Sequence, residues 1–172
     1  MNQNEQRVCL LLGSNIEPEV NLFQAVNLLR QQMTVLQTSS VWESRAIGSD
    51  GPNFLNAAML ATTTRDAENL KEQVLRPLEA SLGRIRTEDK NAPRTIDIDL
   101  ILFNQQLLDP CLWGYAHSAV PVAELLPDYQ SATGECLKDS AVSLASKTPI
   151  TMRKDLSGYP FSTVFRKTIY KE

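Results

Sequence analysis

The sequence of 172 residues predicts an α+β fold built on an antiparallel sheet with helices packed on it. Stretches with strand-like alternation and stretches with helical spacing follow one another as strand, helix, strand, strand, helix, strand. This order is a split βαβ arrangement, whose natural solution is an antiparallel sheet with both helices on one face. With 42% hydrophobic and 22% charged residues, the chain can bury a real core, so one compact domain is expected.

The first strand and the first helix are marked by apolar spacing. The run from Arg7 to Leu12 predicts a short buried strand, and residues 13–15 (GSN) predict a turn. Pro18 stands where the first turn of a helix tolerates proline. The helix is predicted to continue to about Gln32, because apolar residues recur at helical spacing, namely Leu22, Phe23, Val26, Leu29 and Met33.

Two consecutive strands are predicted next, over Val35–Ser44 and Asn53–Thr63. The residues between them, 47–52 (IGSDGP), have the composition of a loop. The two strands can therefore pair across this loop.

The second helix is predicted from Asp66 to Leu82, with Asp66 as its cap and Gly83 as its stop. Pro77 lies inside this helix and should kink it. The last strand of the core is RTIDIDLILF at residues 94–103, so the complete order is that of a ferredoxin-like βαββαβ core.

The rest of the chain gives weaker signals. We expect a short strand after Phe103 and a short helix near Val122 to Leu126, both as C-terminal additions to the core. We therefore predict one domain over residues 1–172, with a core at about 7–130 and an extension of uncertain structure at 140–172.

Composition narrows the class of protein. The apolar runs are far too short to span a bilayer, and no apolar signal core follows the amino-terminal MNQNEQR, so we expect a cytoplasmic protein without a membrane partner. The three cysteines are widely spaced and match no disulfide or zinc pattern. A net charge of −3 argues against broad nucleic-acid binding. Small-molecule partners and a monomer or weak homodimer are expected.

The last core strand carries two acids on one face. Ile96, Ile98, Leu100 and Leu102 should form one row, and the other row should contain Asp97, Asp99, Ile101 and Phe103. Side chains at i and i+2 rise from Cα atoms about 6.6 Å apart, so the two carboxylates can converge on one point. Like charge would raise one pKa unless a cation lies between them, which favours a divalent metal. The alternative is a solvated face at a strand end.

Basic residues precede the acid pair. Arg84, Arg86, Lys90 and Arg94 are opposed only by Glu88 and Asp89. Guanidinium groups bind phosphate oxygens bidentately, and a metal held by carboxylates neutralises bridging phosphate oxygens. Together the two groups describe a nucleoside polyphosphate site, although a charged surface loop would show a similar composition.

These residues resemble a known family. The run KNAPRTIDIDLI at residues 90–101 looks like the signature of 6-hydroxymethyl-7,8-dihydropterin pyrophosphokinases, which transfer a pyrophosphoryl group from ATP to a pterin alcohol in folate biosynthesis. Agreement extends from Val8 to Phe103, through LGSN at 12–15, SVWES at 40–44, PNFLNAA at 52–58 and LExxLGR at 78–84. The resemblance also implies the ferredoxin-like core.

The resemblance implies a role for each matching residue. Asp97 and Asp99 would be catalytic and would bind two Mg²⁺ ions, with ATP as co-substrate. The other predicted catalytic residues are Arg84 and Arg86, on a loop that closes over the substrates. The predicted ATP-binding residues are Arg84, Arg86, Arg94 and His117. The predicted pterin-binding residues are Ser44, Arg45, Ala46, Phe54, Asn56 and Trp113. Phe54 would stack on the pterin, and Asn56 would hydrogen-bond its edge.

The chain departs from the family pattern at two places. Ala46 stands where a proline is common. The segment after His117 is shortened and lacks the usual arginine and second aromatic residue, so His117, Trp113 and Tyr115 all remain candidates for the second stacking partner, with core packing as the alternative for the latter two. Glu79 matches the family's second helix, but a solvated carboxylate is nearly as good an interpretation.

Three other functions remain open from the sequence. Paired acids on such a sheet also suit nucleotidyl transferases and cyclases, which attack the α-phosphorus. A relative that binds pterin without turnover would fit the shortened segment. An RNA-binding module on the same core is a further alternative, although the paired strand aromatics of that class are missing.

Overall fold

The computed structural model describes residues 5–48, 50–86, 88 and 92–156. Its strands lie in one sheet of seven, with the order β6-β5-β1-β4-β3-β7 and with β2 also paired to β4. Every pairing is antiparallel. The strands are β1 (Gln6–Ser14), β2 (Thr34–Thr38), β3 (Trp42–Ser44), β4 (Phe54–Thr63), β5 (Asp97–Phe103), β6 (Gln106–Leu107) and β7 (Ile150–Met152).

The predicted α+β class and the ferredoxin-like core are confirmed, since β5, β1, β4 and β2/β3 lie side by side in the order that a split βαβ arrangement requires. The helices are α1 (Pro18–Gln32), α2 (Ala67–Leu70), α3 (Arg76–Ser81), α4 (Ala116–Leu125) and α5 (Leu137–Lys147). A π-helical turn, Lys71–Leu75, joins α2 to α3 without a break. No helix in the described part of the chain is long and apolar enough to cross a membrane.

One face of the sheet carries the larger hydrophobic core. Leu10 and Leu12 of β1 point to this face, where they pack with Leu22 and Leu29 of α1 and with Leu70 of α2. All five side chains are almost completely buried. Both helices of the predicted core therefore lie on this face, as expected, because each has an apolar stripe to cover.

The opposite face is divided between a second core and a polar end. Cys9 and Leu11 of β1 pack there with Ala119 and Val122 of α4 and with Leu137 of α5. The predicted short helix near residues 122–126 is therefore the last part of a longer helix, α4, which continues through Pro121. Beyond Leu11, towards the end of β1, this face is left to polar side chains.

Two strand predictions need correction. The stretch Val35–Ser44 is not one strand: residues 39–41 separate β2 from β3, and the Ser39 N–H and Oγ bond the backbone of Ala58 instead of continuing the ladder. The alternation predicted for β5 also fails at its end. The β1–β5 register shifts between Cys9 and Leu10, so Leu102 joins the core under α4 and Phe103 packs against the other core.

The second helix begins and ends as predicted. The Asp66 side chain accepts a hydrogen bond from Asn69 N at 2.8 Å, and Gly83 has a φ of +79° where the helix stops. The π-helical turn ends at Leu75, two residues before Pro77. Pro77 lacks an N–H and its ring would crowd the carbonyl four residues earlier, so a wider turn there removes the conflict.

Candidate active site

A pocket opens on the polar end of the sheet, beside the start of α4. At its floor Gly13 of β1 is paired with Asn56 on one side and with Asp97 on the other. Its volume of about 180 Å³ is below the roughly 300 to 1,000 Å³ of drug-sized ligand sites, so its enclosed part fits one small ring system. The lining residues are Leu11, Gly13, Ser44, Arg45, Ala46, Ile47, Phe54, Asn56, Arg94, Asp97, Asp99 and His117.

The two acids of β5 lie on the same wall of this pocket. The Asp97 carboxylate forms an ion pair with Arg94 and lies 3.5 Å from Arg84 Nη2. Burial, and then the charge of Asp97, raises the pKa of Asp99 to about 7. The acid pair therefore needs positive charge to stay ionised, which is what the sequence indicated.

Arg84 has hydrogen-bonding capacity to spare. Its side chain is only 12% exposed, yet its Nε and Nη1 atoms are buried without a hydrogen-bond partner among the described residues. Buried donors of a charged group are costly to leave unpaired. Arg84 is not among the described residues that line the pocket, so an anionic ligand beside Asp97 would reach these donors only after the side chain moves.

Arg86 lies apart from the pocket wall and is held by Glu79. Arg86 Nη2 donates to Glu79 Oε2 at 2.6 Å, although its side chain remains 60% exposed. The other Glu79 oxygen accepts from Ile98 N at 2.8 Å, so this carboxylate fixes the backbone between Asp97 and Asp99. Glu79 is 2% exposed, which excludes the solvated-carboxylate interpretation. Burial raises the pKa of Glu79.

Five of the six residues predicted to bind pterin line the same pocket as the two acids. Asn56 Nδ2 donates to Ser44 Oγ at 3.0 Å and lies 3.4 Å from Trp42 O, which orients the amide. Its Oδ1 would be 3.3 Å from a Cβ at position 13, so glycine leaves this amide its space. The Phe54 ring lies 5.6 Å from the Arg94 guanidinium carbon, in a cation–π contact. Arg45 and Ala46 line the pocket beside Ser44.

Of the three rings considered for the second face of a planar ligand, His117 lines the pocket. Tyr115 stacks on His117, with ring centroids 5.3 Å apart. Trp113 stacks on Tyr129 at 6.1 Å and packs against the core under α4, and it is not among the described residues that line the pocket. Burial, and then the charge of Arg94, lowers the pKa of His117, which favours a neutral imidazole.

Lys90 and Asp89, which belong to the predicted charged loop, lie outside the described residues.

Asn15 contributes to the site, although the sequence analysis gave it no role. Asn15 is buried, and its Oδ1 accepts from Arg94 N at 2.7 Å while its Nδ2 donates to Pro52 O at 3.2 Å. Asn15 therefore joins the segment that carries Arg94 to the segment that leads into Phe54. The GSN turn was the available signal.

The acid pair fits a magnesium site that is shared with a substrate. No cluster of three or more His, Cys, Asp or Glu side chains in the described ranges could hold a metal by itself. Mg²⁺ is usually held by one or two carboxylates together with substrate phosphates and water, so the two aspartates are a sufficient protein contribution. The raised pKa of Asp99 agrees with a carboxylate whose counter-charge arrives with the ligand.

We predict that Glu79→Ala lowers the free energy of unfolding by about 1 to 3 kcal/mol, because the buried Ile98 N–H loses its acceptor. Glu79→Gln should cost less, since an amide oxygen can still accept that bond. Urea unfolding measures both, with Glu72→Ala as a matched control, because Glu72 forms an exposed pair with Arg76. Equal costs for Glu79→Ala and Glu72→Ala would contradict the anchoring role.

The fold has relatives among solved structures. The Plasmodium falciparum HPPK-DHPS wild type with pterin and p-hydroxybenzoate superimposes with a TM-score of 0.66 at 11% identity, over 86% of this chain and 43% of that one. The P. falciparum HPPK-DHPS triple mutant S436F/A437G/A613T with pteroate gives a TM-score of 0.67 at 10% identity, over 85% of this chain and 44% of that chain. At these identities the likeness supports the fold alone.

Sequence relatives carry the name 2-amino-4-hydroxy-6-hydroxymethyldihydropteridine pyrophosphokinase. The Bacillus subtilis protein is 39% identical over 58% of this chain, and the chain spans only 61% of that protein. The Pseudomonas aeruginosa protein is 31% identical over 78% of this chain and 89% of its own length. The family described as 7,8-dihydro-6-hydroxymethylpterin-pyrophosphokinase (HPPK) matches residues 9–127. This chain therefore belongs to the HPPK family.

Proposed function

We propose that the protein transfers a pyrophosphoryl group from ATP to 6-hydroxymethyl-7,8-dihydropterin, giving the pterin diphosphate and AMP. The observation that carries the proposal is that one pocket joins two kinds of wall. Asp97 and Asp99 with Arg94 form the charged wall, and Phe54 with Asn56 forms a wall suited to a flat, hydrogen-bonding ring. Membership of the HPPK family supports the same reaction.

The reaction forms a bond between the pterin hydroxymethyl oxygen and the β-phosphorus of ATP. The bond from that phosphorus to the α–β bridging oxygen breaks, AMP departs with that oxygen, and the hydroxyl proton passes to solvent. This transfer needs no protein nucleophile, so the chain contributes positioning and charge neutralisation. The reacting oxygen and phosphorus must meet where the two walls face each other.

The charged wall would bind the triphosphate. Arg84 would give its two unpaired buried donors to phosphate oxygens, and Arg94 would exchange part of its contact with Asp97 for a phosphate. Mg²⁺ bound by Asp97 and Asp99, two ions in the full proposal, would supply neutralisation of the bridging phosphate oxygens. Arg86 would first break its ion pair with Glu79 and would then bind the triphosphate, so it would contact the substrate late.

The opposite wall would bind the pterin. Phe54 would stack on one face of the ring, and His117, which lines the same pocket, would cover the other. The Asn56 amide, oriented by Ser44, would hydrogen-bond the ring edge, with Arg45 and Ala46 along the rim. Trp113 would then pack against α4 from the core side. We therefore propose His117 as the second ring beside the pterin, and not Trp113, which the sequence predicted to bind pterin.

We further propose that the protein acts in the cytoplasm on these two small molecules, as a monomer or weak homodimer and without nucleic acid. Sedimentation velocity of the protein with and without ATP would determine the oligomeric state.

The decisive experiment is incubation with ATP, Mg²⁺ and 6-hydroxymethyl-7,8-dihydropterin, followed by analysis of the products. AMP and pterin diphosphate in equal amounts support the proposal. Release of inorganic pyrophosphate would indicate attack on the α-phosphorus, which is nucleotidyl-transferase chemistry. Binding of both substrates without any product would identify a pterin-binding relative that lacks turnover.

We expect Asp97→Asn and Asp99→Asn each to lower turnover by at least about a hundredfold, because each removes charge that stabilises the transition state. Steady-state kinetics at saturating Mg²⁺ measures the loss, and thermal unfolding shows whether the fold is retained. Asp128→Asn is the matched control, since Asp128 is an exposed acid that does not line the pocket. Near-normal turnover in either pocket variant would contradict a joint metal site.

The two arginines after the helix should differ. Arg84→Ala should weaken ATP binding and lower turnover together, because Arg84 already lies beside Asp97. Arg86→Ala should lower turnover at nearly unchanged ATP affinity, because Arg86 must first leave Glu79 and so contacts the substrate late. Titration with a non-hydrolysable ATP analogue and steady-state kinetics separate the two effects. Identical effects of both changes on affinity would argue that the two residues are simple anchors.

Removing either proposed stacking ring should weaken pterin binding about tenfold to a hundredfold, the equivalent of roughly 1 to 3 kcal/mol of stacking. The variants are Phe54→Ala and His117→Ala, titrated with pterin in the presence of a non-hydrolysable ATP analogue. Trp113→Phe is the control, because it changes a ring that packs on Tyr129. If only Phe54→Ala weakened binding, His117 would not cover the second face.

A further inference from the structure

The C-terminal strand β7 lies next to the strand that carries the pocket residue Ser44, and it falls outside the matched family region, residues 9–127. It pairs with β3, placing Ile150 opposite Ser44 and Met152 opposite Trp42. Strand β3 has only three residues and is paired with β4 on its other side, where Trp42 faces Asn56. The C-terminal strand thus completes the hydrogen bonding of the short strand that carries Ser44.

Arg153, directly after β7, bonds to three parts of the chain. Its backbone N–H donates to Val41 O at 2.9 Å, just before β3. Its guanidinium lies 3.4 Å from Glu43 Oε2 and 3.2 Å from Glu19 Oε1. Asp155 Oδ2 lies 2.8 Å from Arg153 Nη2 and orients the guanidinium. One side chain therefore joins the C-terminal strand to β3 and to the first turn of α1.

Glu43 connects Arg153 to the residue that precedes the proposed stacking residue, Phe54. Its other oxygen, Oε1, accepts from Asn53 Nδ2 at 2.8 Å, and Asn53 immediately precedes Phe54. On its other side Glu43 is followed by Ser44, which accepts the Asn56 amide. Arg153 is thus linked through one carboxylate to the segment that presents both the ring and the amide of the pocket.

We propose that Arg153 is a positioning residue for the pterin substrate, and that the C-terminal strand holds the pterin-binding wall in its binding geometry. The inference rests on the proposed function, because it assigns that wall to pterin. Without the guanidinium, Glu43 loses its counter-charge and one of the two contacts that orient it, so Asn53 and Phe54 are held less firmly and the ring faces the pocket for less of the time. A protein that is competent only part of the time binds its ligand more weakly in proportion.

A purely structural role for Arg153 would have a different signature. Exposed ion pairs contribute little to global stability, so the loss of the Arg153 ion pairs would then lower the melting temperature only slightly. It would also change the affinities for ATP and for pterin to the same extent. A positioning role affects pterin more than ATP, because Arg84 and Arg94 both pair with Asp97, which lies outside the segment that Arg153 supports. The ratio of the two affinities distinguishes the roles.

The test is direct titration of Arg153→Ala with pterin in the presence of a non-hydrolysable ATP analogue, and with the analogue alone. We expect pterin affinity to fall about fivefold to twentyfold, in proportion to the lost competent population, and analogue affinity to change by less than about twofold. Arg153→Lys should recover part of the loss, since it keeps a charge near Glu43. Arg76→Ala, which breaks an exposed pair with Glu72 on the π-helical turn, should change neither affinity.

A second variant shows whether a weaker affinity of Arg153→Ala for pterin comes only from a folding defect. Glu43→Gln leaves Arg153 in place and should weaken pterin binding in the same direction, and the double variant with Arg153→Ala should be no weaker than Arg153→Ala alone, because both act through one contact. Unchanged pterin affinity in Arg153→Ala, or equal loss for both ligands, would overturn the inference while leaving the proposed function intact. Failure of the unmodified protein to bind pterin would overturn both.

Discussion

The need to place two carboxylates side by side on a largely covered sheet face is the constraint on which the site depends. Asp97 and Asp99 are held in register by the β1–β5 ladder and by Glu79, which bonds the peptide N–H between them. Two neighbouring carboxylates both stay ionised only when cations lie beside them. Arg84, after the second helix, and Arg94, before β5, supply that charge in the free protein, and in the proposed reaction a metal bound with the substrate would add to it.

Local patterns predicted the parts of the fold that depend on near neighbours. The alternation of RTIDIDLILF placed both acids on one face, and the cap at Asp66 and the stop at Gly83 followed from residue chemistry. The prediction failed where a distant partner decides the structure. The bulge that turns Leu102 to the other core arises from the β1–β5 register, and no feature of residues 94–103 alone indicates it.

The site was predicted in the same uneven way. Resemblance and charge pattern predicted roles for the acids and arginines, but the contact made by Glu79 required knowing that its carboxylate is buried under β5, nineteen residues later in the chain. Asn15 likewise bonds Arg94 N across 79 positions and Pro52 O across 37. Such contacts are decided by the folded topology, so a single sequence gives only the residue types and not their partners.

The shortened segment after His117 forms most of α4, and this helix still brings one ring to the pocket. Helix α4 begins at Ala116 beside the pocket, and His117 in its first turn lines the pocket together with Asp97 and Asp99. Glu124, further along the same helix, accepts hydrogen bonds from Ser40 N and Trp42 Nε1, which fixes α4 against the entry to β3. One helix therefore covers the apolar half of this face, contributes a ring to the polar half and sets its distance from the strand that carries Ser44.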